Sequence, residues 1–323
     1  MHRFVFAAFL LTSLLMPQTV FAATSQSFPD WLSELRLEAL KKGITQKTVQ
    51  TALPNNLKPL SRVLELDKKQ PEKTLSFSKY KRNTLSGARV NKGRKLIKQH
   101  ARTLGTVEKK YGVPPAVIVA LWGMETSYGN YTGGFDIVQA LATLAYDGRR
   151  GAYFRKELFN ALRILDQGHI SPKAMTGSWA GAMGQSQFMP SSFLKFAVDG
   201  NGDGKRDIWR TKTDVFASAS NYLKQHGWRT GERWGRRVSL PKNFSDKHAD
   251  LKIEKTLAEW QKLGVRRANG KDLPQVQAMK GSIVKFGDKE AYLVYNNYKV
   301  IMKWNRSTYF ATSVGLLSDQ LSY

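Results

Sequence analysis

Apolar residues recur at helical spacing over residues 28–110 and again over residues 111–237, and the pattern changes texture over residues 238–300. In the first stretch, Pro54-Asn55-Asn56 and Pro71-Glu72 mark loops between short helices. In the second, helical segments alternate with glycine-rich loops at residues 129–134, 148–151, 177–184 and 200–204, an arrangement that suits a cleft. In the third, Ser282-Ile-Val-Lys-Phe286 and Ala291-Tyr-Leu-Val-Tyr295 flank Gly287-Asp288, which predicts strands joined by a turn. A helical pattern returns over residues 304–317 and predicts a segment that rejoins the core. The chain thus divides into an N-terminal helical region (23–110), a helical core (111–237), a small antiparallel β subdomain (238–300) and a closing segment (301–323), mainly α overall.

The first 22 residues follow another rule. His2 and Arg3 precede an apolar run over residues 4–16, and Val20-Phe21-Ala22 offers a cleavage site, so this stretch predicts a secretory signal peptide. The run is shorter than the roughly 20 residues a spanning helix needs, so no membrane anchor is expected. The chain has no cysteine, so neither disulfides nor lipidation of an N-terminal cysteine is available to it. These features predict an exported, periplasmic protein.

The formal net charge is +26, and loss of Arg3 with the leader lowers it by one to +25. Such an excess favours polyanions: nucleic acid, anionic lipid or the acidic polymers of a cell wall. Export disfavours nucleic acid, and the basic residues come with neither paired metal ligands nor a base-stacking module. They are spread over the chain, as at Lys81-Arg82 and residues 92–98 and 229–237, and any one cluster reads equally well as solvated surface.

Glu125 ends the apolar stretch Val117-Ile-Val-Ala-Leu-Trp-Gly-Met124 and is followed by Thr126-Ser-Tyr-Gly129. Pro114-Pro115 marks the helix start, which places Glu125 about three turns in. A carboxyl where an apolar helix meets a glycine turn is desolvated yet reachable, which raises its pKa and suits a general acid. Spacing alone leaves an ion-paired surface glutamate as the commoner alternative; Trp122, Tyr128 and Tyr131 favour the acid, because aromatic faces stack on sugars. A second constellation runs from Gly177 to Ser192, where small residues allow close backbone approach and Ser178, Gln185 and Gln187 supply neutral hydrogen-bonding groups. Neutral donors beside aromatics suit carbohydrate better than phosphate, although a glycine-rich stretch is also a common packing loop.

Taken in order, Trp122-Gly-Met-Glu-Thr-Ser-Tyr-Gly129, Ala140-Leu-Ala-Thr-Leu-Ala-Tyr146, Gly181-Ala-Met-Gly-Gln-Ser-Gln-Phe-Met-Pro190-Ser-Ser and Asn221-Tyr222 ahead of His226-Gly-Trp228 resemble the membrane-bound lytic murein transglycosylase B family, glycoside hydrolase family 103. The resemblance spans roughly residues 80–310 and implies a lysozyme-like helical core flanked by a helical domain and a small β domain. It also implies non-hydrolytic cleavage of the β-1,4 bond between N-acetylmuramic acid and N-acetylglucosamine, leaving a 1,6-anhydro end. By the same resemblance Glu125 is the catalytic acid and then the base, and Tyr80, Ser178, Gln187, Phe188, Tyr222, Trp304, Asn305 and Phe310 contact the glycan. Trp304 and Phe310 stand where the family carries tyrosine. Glycosidases generally use two carboxylates; Asp136 and Asp147 are the weak candidates for a second, and their weakness fits a substrate-assisted route.

Asp199-Gly-Asn201-Gly-Asp203-Gly-Lys205-Arg-Asp207 has the EF-hand order of oxygen ligands and glycine, but Arg210 stands where the closing glutamate belongs. The resemblance implies an elongated loop closed by a later aspartate, here Asp214, with Lys205 contributing its carbonyl to a structural Ca²⁺. An Asx-rich turn held by its own hydrogen bonds is the alternative. No cofactor is expected for catalysis. The expected partners are peptidoglycan strands, with the basic surface a place for wall-synthesis proteins to dock. A hydrolytic muramidase and a non-catalytic wall-binding protein are the competing functions, separable by their products.

Overall fold

The structure, a computed structural model, describes residues 26–69, 75–288 and 290–322; the leader read at residues 1–22 lies outside them. Among the described residues, six helices open the chain: α1 (Phe28–Lys41), α2 (Gln46–Ala52), α3 (Ser61–Lys68), α4 (Phe77–Thr84), α5 (Gly87–Gln99) and α6 (Ala101–Tyr111). Ser27, Thr45, Ser76 and Ser86 each accept a backbone N–H of the helix they precede, satisfying a donor the helix cannot pair itself. In α1 the buried residues Phe28, Trp31, Leu32, Leu35 and Ala39 follow the 3.6-residue period. Gly112 closes α6 in the left-handed conformation.

The next helix, α7 (Pro115–Thr126), obeys no such period, because every residue from Ala116 to Gly123 is buried. A helix apolar on all sides must be wrapped, and α7 is packed against α5, α6 and two later helices, α11 (Lys212–Gln225) and α14 (Thr308–Leu321). Between α7 and α11 lie β1 (Phe135–Asp136), α8 (Ile137–Asp147), α9 (Gly151–Asp166), β2 (Thr176–Gly177) and α10 (Pro190–Phe196). Helices α8 and α9 pack as a pair, and β1 and β2 form a two-stranded antiparallel ribbon with Phe135 opposite Gly177.

The remaining strands, β3 (Gly235–Ser239), β4 (Lys255–Thr256), β5 (Arg266–Arg267), β6 (Lys280–Phe286) and β7 (Glu290–Val294), make one antiparallel sheet in the order β4-β6-β7-β3-β5. The short helix α12 (Leu257–Lys262) covers one face. Strand β7 is buried on both sides, and its alternation sorts two cores. Ala291 and Leu293 join Trp260, Leu257 and Ile283 in a small local core, while Tyr292 and Val294 face the main body. Phe77 of α4 stacks on Phe286 with ring centres 3.8 Å apart, tying the sheet to the N-terminal helices.

Two element boundaries differ from the sequence pattern. The sheet begins at Gly235, inside the stretch read as helical, because Gly235 pairs with Val294 far along the chain. Helix α13 (Asn296–Trp304) begins within the stretch read as β and packs in the main core through Tyr298, Val300 and Ile301. A break at residues 305–307, where Ser307 caps α14, separates the two closing helices.

Candidate active site

Glu125 occupies the last turn of α7, and the chain then turns sharply. Ser127 and Tyr128 both take left-handed backbone angles, φ 50° and 63°, uncommon outside glycine. What compensates is packing: the Tyr128 ring folds back over Gly123, where a Cβ would sit 2.6 Å from it, and its hydroxyl donates to the Arg89 carbonyl at 2.8 Å. Gly129, at φ +81°, is likewise required, since a side chain there would meet Gln185. The turn holds the Glu125 carboxyl at the edge of the core rather than letting the helix end fray.

Gln185 ties this turn to the second motif. Its Oε1 accepts from Trp122 Nε1 at 3.0 Å, its Nε2 donates to the Trp209 carbonyl at 2.6 Å, and its backbone carbonyl accepts from Thr126 Oγ1 at 3.2 Å. Thr126 Oγ1 in turn accepts from the Gly129 amide at 3.0 Å. Gln185, read from sequence as a group for sugar hydroxyls, is therefore buried and spent on the fold. Trp122 and Tyr128, read as sugar-stacking faces, are also core residues, whereas Tyr131 is exposed.

The Glu125 carboxyl lies among Ile118, Leu121, Trp122, Val215, Phe216, Ala219 and Trp304, and the residue as a whole is half-buried. Burial pushes its pKa up to about 7, against the opposing pull of a hydrogen bond from Trp304 Nε1, which donates to Oε1 at 2.8 Å. Among the described residues no cation pairs with it. Tyr80 on α4 is near enough to feel its charge: burial first, and then the Glu125 carboxylate, raise the Tyr80 phenol above its ordinary range. Neither weak candidate for a second carboxyl faces Glu125 across the pocket: Asp136 caps α8 by accepting from the Gln139 amide at 2.8 Å, and Asp147 is exposed at the far end of that helix.

The other expected contacts fall into two groups. Tyr80 and Trp304 are half-buried around Glu125. Ser178 accepts from the Ala182 amide at 2.9 Å, and Gln187, at φ 49°, donates to the Thr132 and Gly184 carbonyls at 3.0 and 2.9 Å, so both shape the glycine loop while staying half-buried. Phe188 and Tyr222 lie buried beneath Trp304, with ring centres 5.2 and 4.8 Å from it, and the Tyr222 hydroxyl donates to the Lys303 carbonyl at 2.7 Å. Phe310 is buried at the start of α14, and exposed Asn305 accepts from the Ser307 amide at 3.0 Å. Arg89, which the sequence pattern did not single out, braces the motif by donating to the Gly123 carbonyl at 2.9 Å.

The acidic loop is satisfied from within. Asp199 accepts from the amides of Gly202, Asp203 and Gly204, and Asp203 from Lys205 and Asn201. Asp214 is fully buried and spans the loop, one oxygen accepting from Gly200 at 2.9 Å and the other from Asp207 at 2.7 Å. Among the described residues no three acidic, histidine or cysteine side chains gather as a metal set. The donors expected for Ca²⁺, Asp199, Asn201, Asp203, Lys205 and Asp214, are thus arranged as an Asx-rich turn held by its own hydrogen bonds, the alternative that the sequence leaves open.

Comparisons with known proteins agree with this geometry. Residues 27–319 match the transglycosylase SLT domain family. The membrane-bound lytic murein transglycosylase B of Escherichia coli (strain K12) is 30% identical over 301 residues, 87% of this chain and 80% of that one. Among solved structures, SltB3 of Pseudomonas aeruginosa in complex with NAG-anhNAM-pentapeptide superposes with a TM-score of 0.89 at 42% identity, covering 92% of this chain and 80% of that one. Escherichia coli Slt35 in complex with calcium superposes with a TM-score of 0.78 at 28% identity, covering 90% and 92%. The matched family, the relative's length of similarity and the superposed folds converge: this chain belongs to the transglycosylase SLT domain family.

Proposed function

We propose that this chain is a lytic transglycosylase that cleaves the β-1,4 bond between N-acetylmuramic acid and N-acetylglucosamine of peptidoglycan and leaves a 1,6-anhydro end. The observation that carries the reading is Glu125: a lone, desolvated carboxyl with its pKa near 7, on a half-buried residue and without a partner carboxylate lining its pocket. At neutral pH such a group is part protonated, so it can give a proton to the departing glycosidic oxygen. As the carboxylate it then takes the proton from the muramic acid O6 hydroxyl while O6 closes on C1, and no water is consumed. The 2-acetamido group of the substrate supplies the stabilisation that a second carboxylate gives elsewhere. Tyr80, Ser178, Gln187, Trp304 and Asn305 would contact the glycan, with Phe188, Tyr222 and Phe310 supporting them from beneath.

SltB3 is seen with muropeptides, which supports glycan strands bearing peptide stems as the substrate here. The leader, the absence of cysteine and the high positive charge support export to the periplasm and attraction to the anionic wall. Wall-synthesis proteins docking on the basic surface, and the division into domains at residues 110, 237 and 300, belong to the same reading. No step runs through calcium. Mass spectrometry of products from purified sacculi is the test. Anhydro-muropeptides are expected; reducing ends would make the protein a hydrolase, and no release at all would make it a binder.

A further inference from the structure

Trp304 is the last residue of α13, 179 residues from Glu125, yet its indole N–H makes the one hydrogen bond to the Glu125 carboxyl among the described residues. Its ring is held from below by Phe188 and Tyr222, and Tyr222 is itself locked by its bond to the Lys303 carbonyl and by stacking on His226 at 4.1 Å. Such a braced ring is fixed in place, so its N–H can orient a neighbour while its face remains free for a sugar. We propose that Trp304 is the positioning residue of the catalytic acid, and that by donating to Oε1 it reserves Oε2 as the oxygen that carries the reacting proton.

The chemistry follows from the indole being a donor only. A hydroxyl Oε1 would be a poorer acceptor for the N–H than a carbonyl Oε1, so the neutral acid favours its proton on Oε2, and the ionised form keeps the same bond. Oε2–H gives its proton to the glycosidic oxygen as the C1–O bond breaks and the electron pair leaves with that oxygen. Oε2 then takes the O6 proton as the O6–C1 bond forms, which restores the acid. A phenol at this position can donate or accept, and would leave the choice of oxygen open. The proposal rests on the reading of Glu125 as acid and base.

The surroundings leave this role to Trp304. Val215, Phe216 and Ala219 of α11 and Gln185 and Ser186 of the glycine loop bring no charge to the pocket. Tyr80 on α4 is the nearby phenol, with Tyr309 of α14 against it at 5.7 Å. The Arg89 guanidinium on α5 is bound to Gly123 and Ser127, and Lys212 of α11 sits over the Trp122 ring at 5.6 Å.

Trp304→Phe keeps a ring and removes the donor. Expected are a kcat about 10- to 100-fold lower with a much smaller change in KM, because the retained ring still offers the sugar a face while the acid is misplaced. The alkaline limb of the profile should move to higher pH, since a bond that favoured the ionised form is gone. Trp304→Tyr, which restores a donor, should recover part of kcat. A loss confined to KM with an unmoved limb, or no loss, overturns the proposal. If Trp304→Phe fails to fold, the intact protein decides: with ¹⁵N-labelled tryptophan, the Trp304 indole resonance should titrate near pH 7 and cease to do so in Glu125→Gln. A resonance indifferent to pH in the wild type overturns the proposal, whereas failure of the functional reading shows separately, as the absence of anhydro products from the wild type.

Discussion

Two sheltered glutamates are met by neighbouring residues of the short helix α4, Tyr80 and Lys81, and they are tuned in opposite directions. Glu125 is approached by Tyr80 and by the Trp304 indole, both neutral, and burial raises its pKa to about 7. Glu290 is also pushed up by burial, but Lys81, one residue along from Tyr80, lies 2.6 Å away and the Tyr292 hydroxyl donates to the same oxygen, so its pKa ends below the ordinary carboxylate range. Burial is shared; what separates a reactive acid from a structural ion pair is the absence of a cation. The fold keeps its positive charges off the Glu125 pocket although the chain carries +26 overall.

The largest effect should come from removing the reactive acid. Glu125→Gln keeps the shape but can neither give nor take a proton, and turnover on sacculi should fall by about 10²-fold or more. Its stability should move the other way. A carboxyl raised from 4.5 to about 7 on folding contributes stability that is full below its unfolded pKa and is lost as pH rises through about 7. Above that pH the glutamine variant should therefore be more stable, by about 2–3 kcal/mol, measured by denaturant titration on both sides of neutrality. A variant less stable than wild type at alkaline pH would contradict the account of the site. Next comes an attempt to turn one glutamate into the other: Tyr80→Arg places a cation where Glu290 has one. It should move the alkaline limb of activity to lower pH and cut neutral-pH kcat by about 10-fold, as the acid ionises too early.

How much of this was legible follows from the same contrast. The apolar run and the glycine turn fix Glu125 in sequence, because desolvation and helix ending are local properties. The two β-rich segments around Gly287 were equally local and became β6 and β7. The Trp304 bond was not legible, since it depends on α13 returning to α7 across 179 residues. Trp122 and Tyr128 were misread as sugar faces for a subtler reason: Tyr128 takes a left-handed backbone that its residue type does not announce, and this buries its ring over Gly123. Strand β3 was missed at its start because Gly235 has no strand signature of its own and acquires one by pairing with Val294.

A moderate effect is expected at the ion-paired glutamate. Lys81→Met removes the cation from Glu290 and leaves a poorly solvated carboxylate, which should cost about 1–3 kcal/mol at neutral pH while activity stays near wild type. Because the native Glu290 pKa is depressed, its stabilising contribution is present above the ordinary carboxylate pKa and lost as pH falls through the folded value; the variant and wild type should converge in acid. A loss of stability that persists unchanged in acid would assign the effect to Lys81 packing on the Phe77 ring, which its Nζ overlies at 5.6 Å.

The smallest effect should be that of calcium. Among the described residues Asp214 is buried as deeply as any carboxyl, but both its oxygens accept backbone N–H groups from the two ends of the acidic loop, and Asp199 is occupied in the same way. These bonds already order the loop without an ion, so it gains little further order from one. A ligand at 100 times its Kd would stabilise by about 2.7 kcal/mol, which a melting curve resolves. Melting midpoints in chelator and in millimolar Ca²⁺ are expected to coincide, while Asp214→Ala should destabilise in both by about 1–3 kcal/mol, since it orphans two amides. A midpoint that rises with Ca²⁺ in the wild type but not in Asp214→Ala would show that the carboxylates of this loop hold an ion.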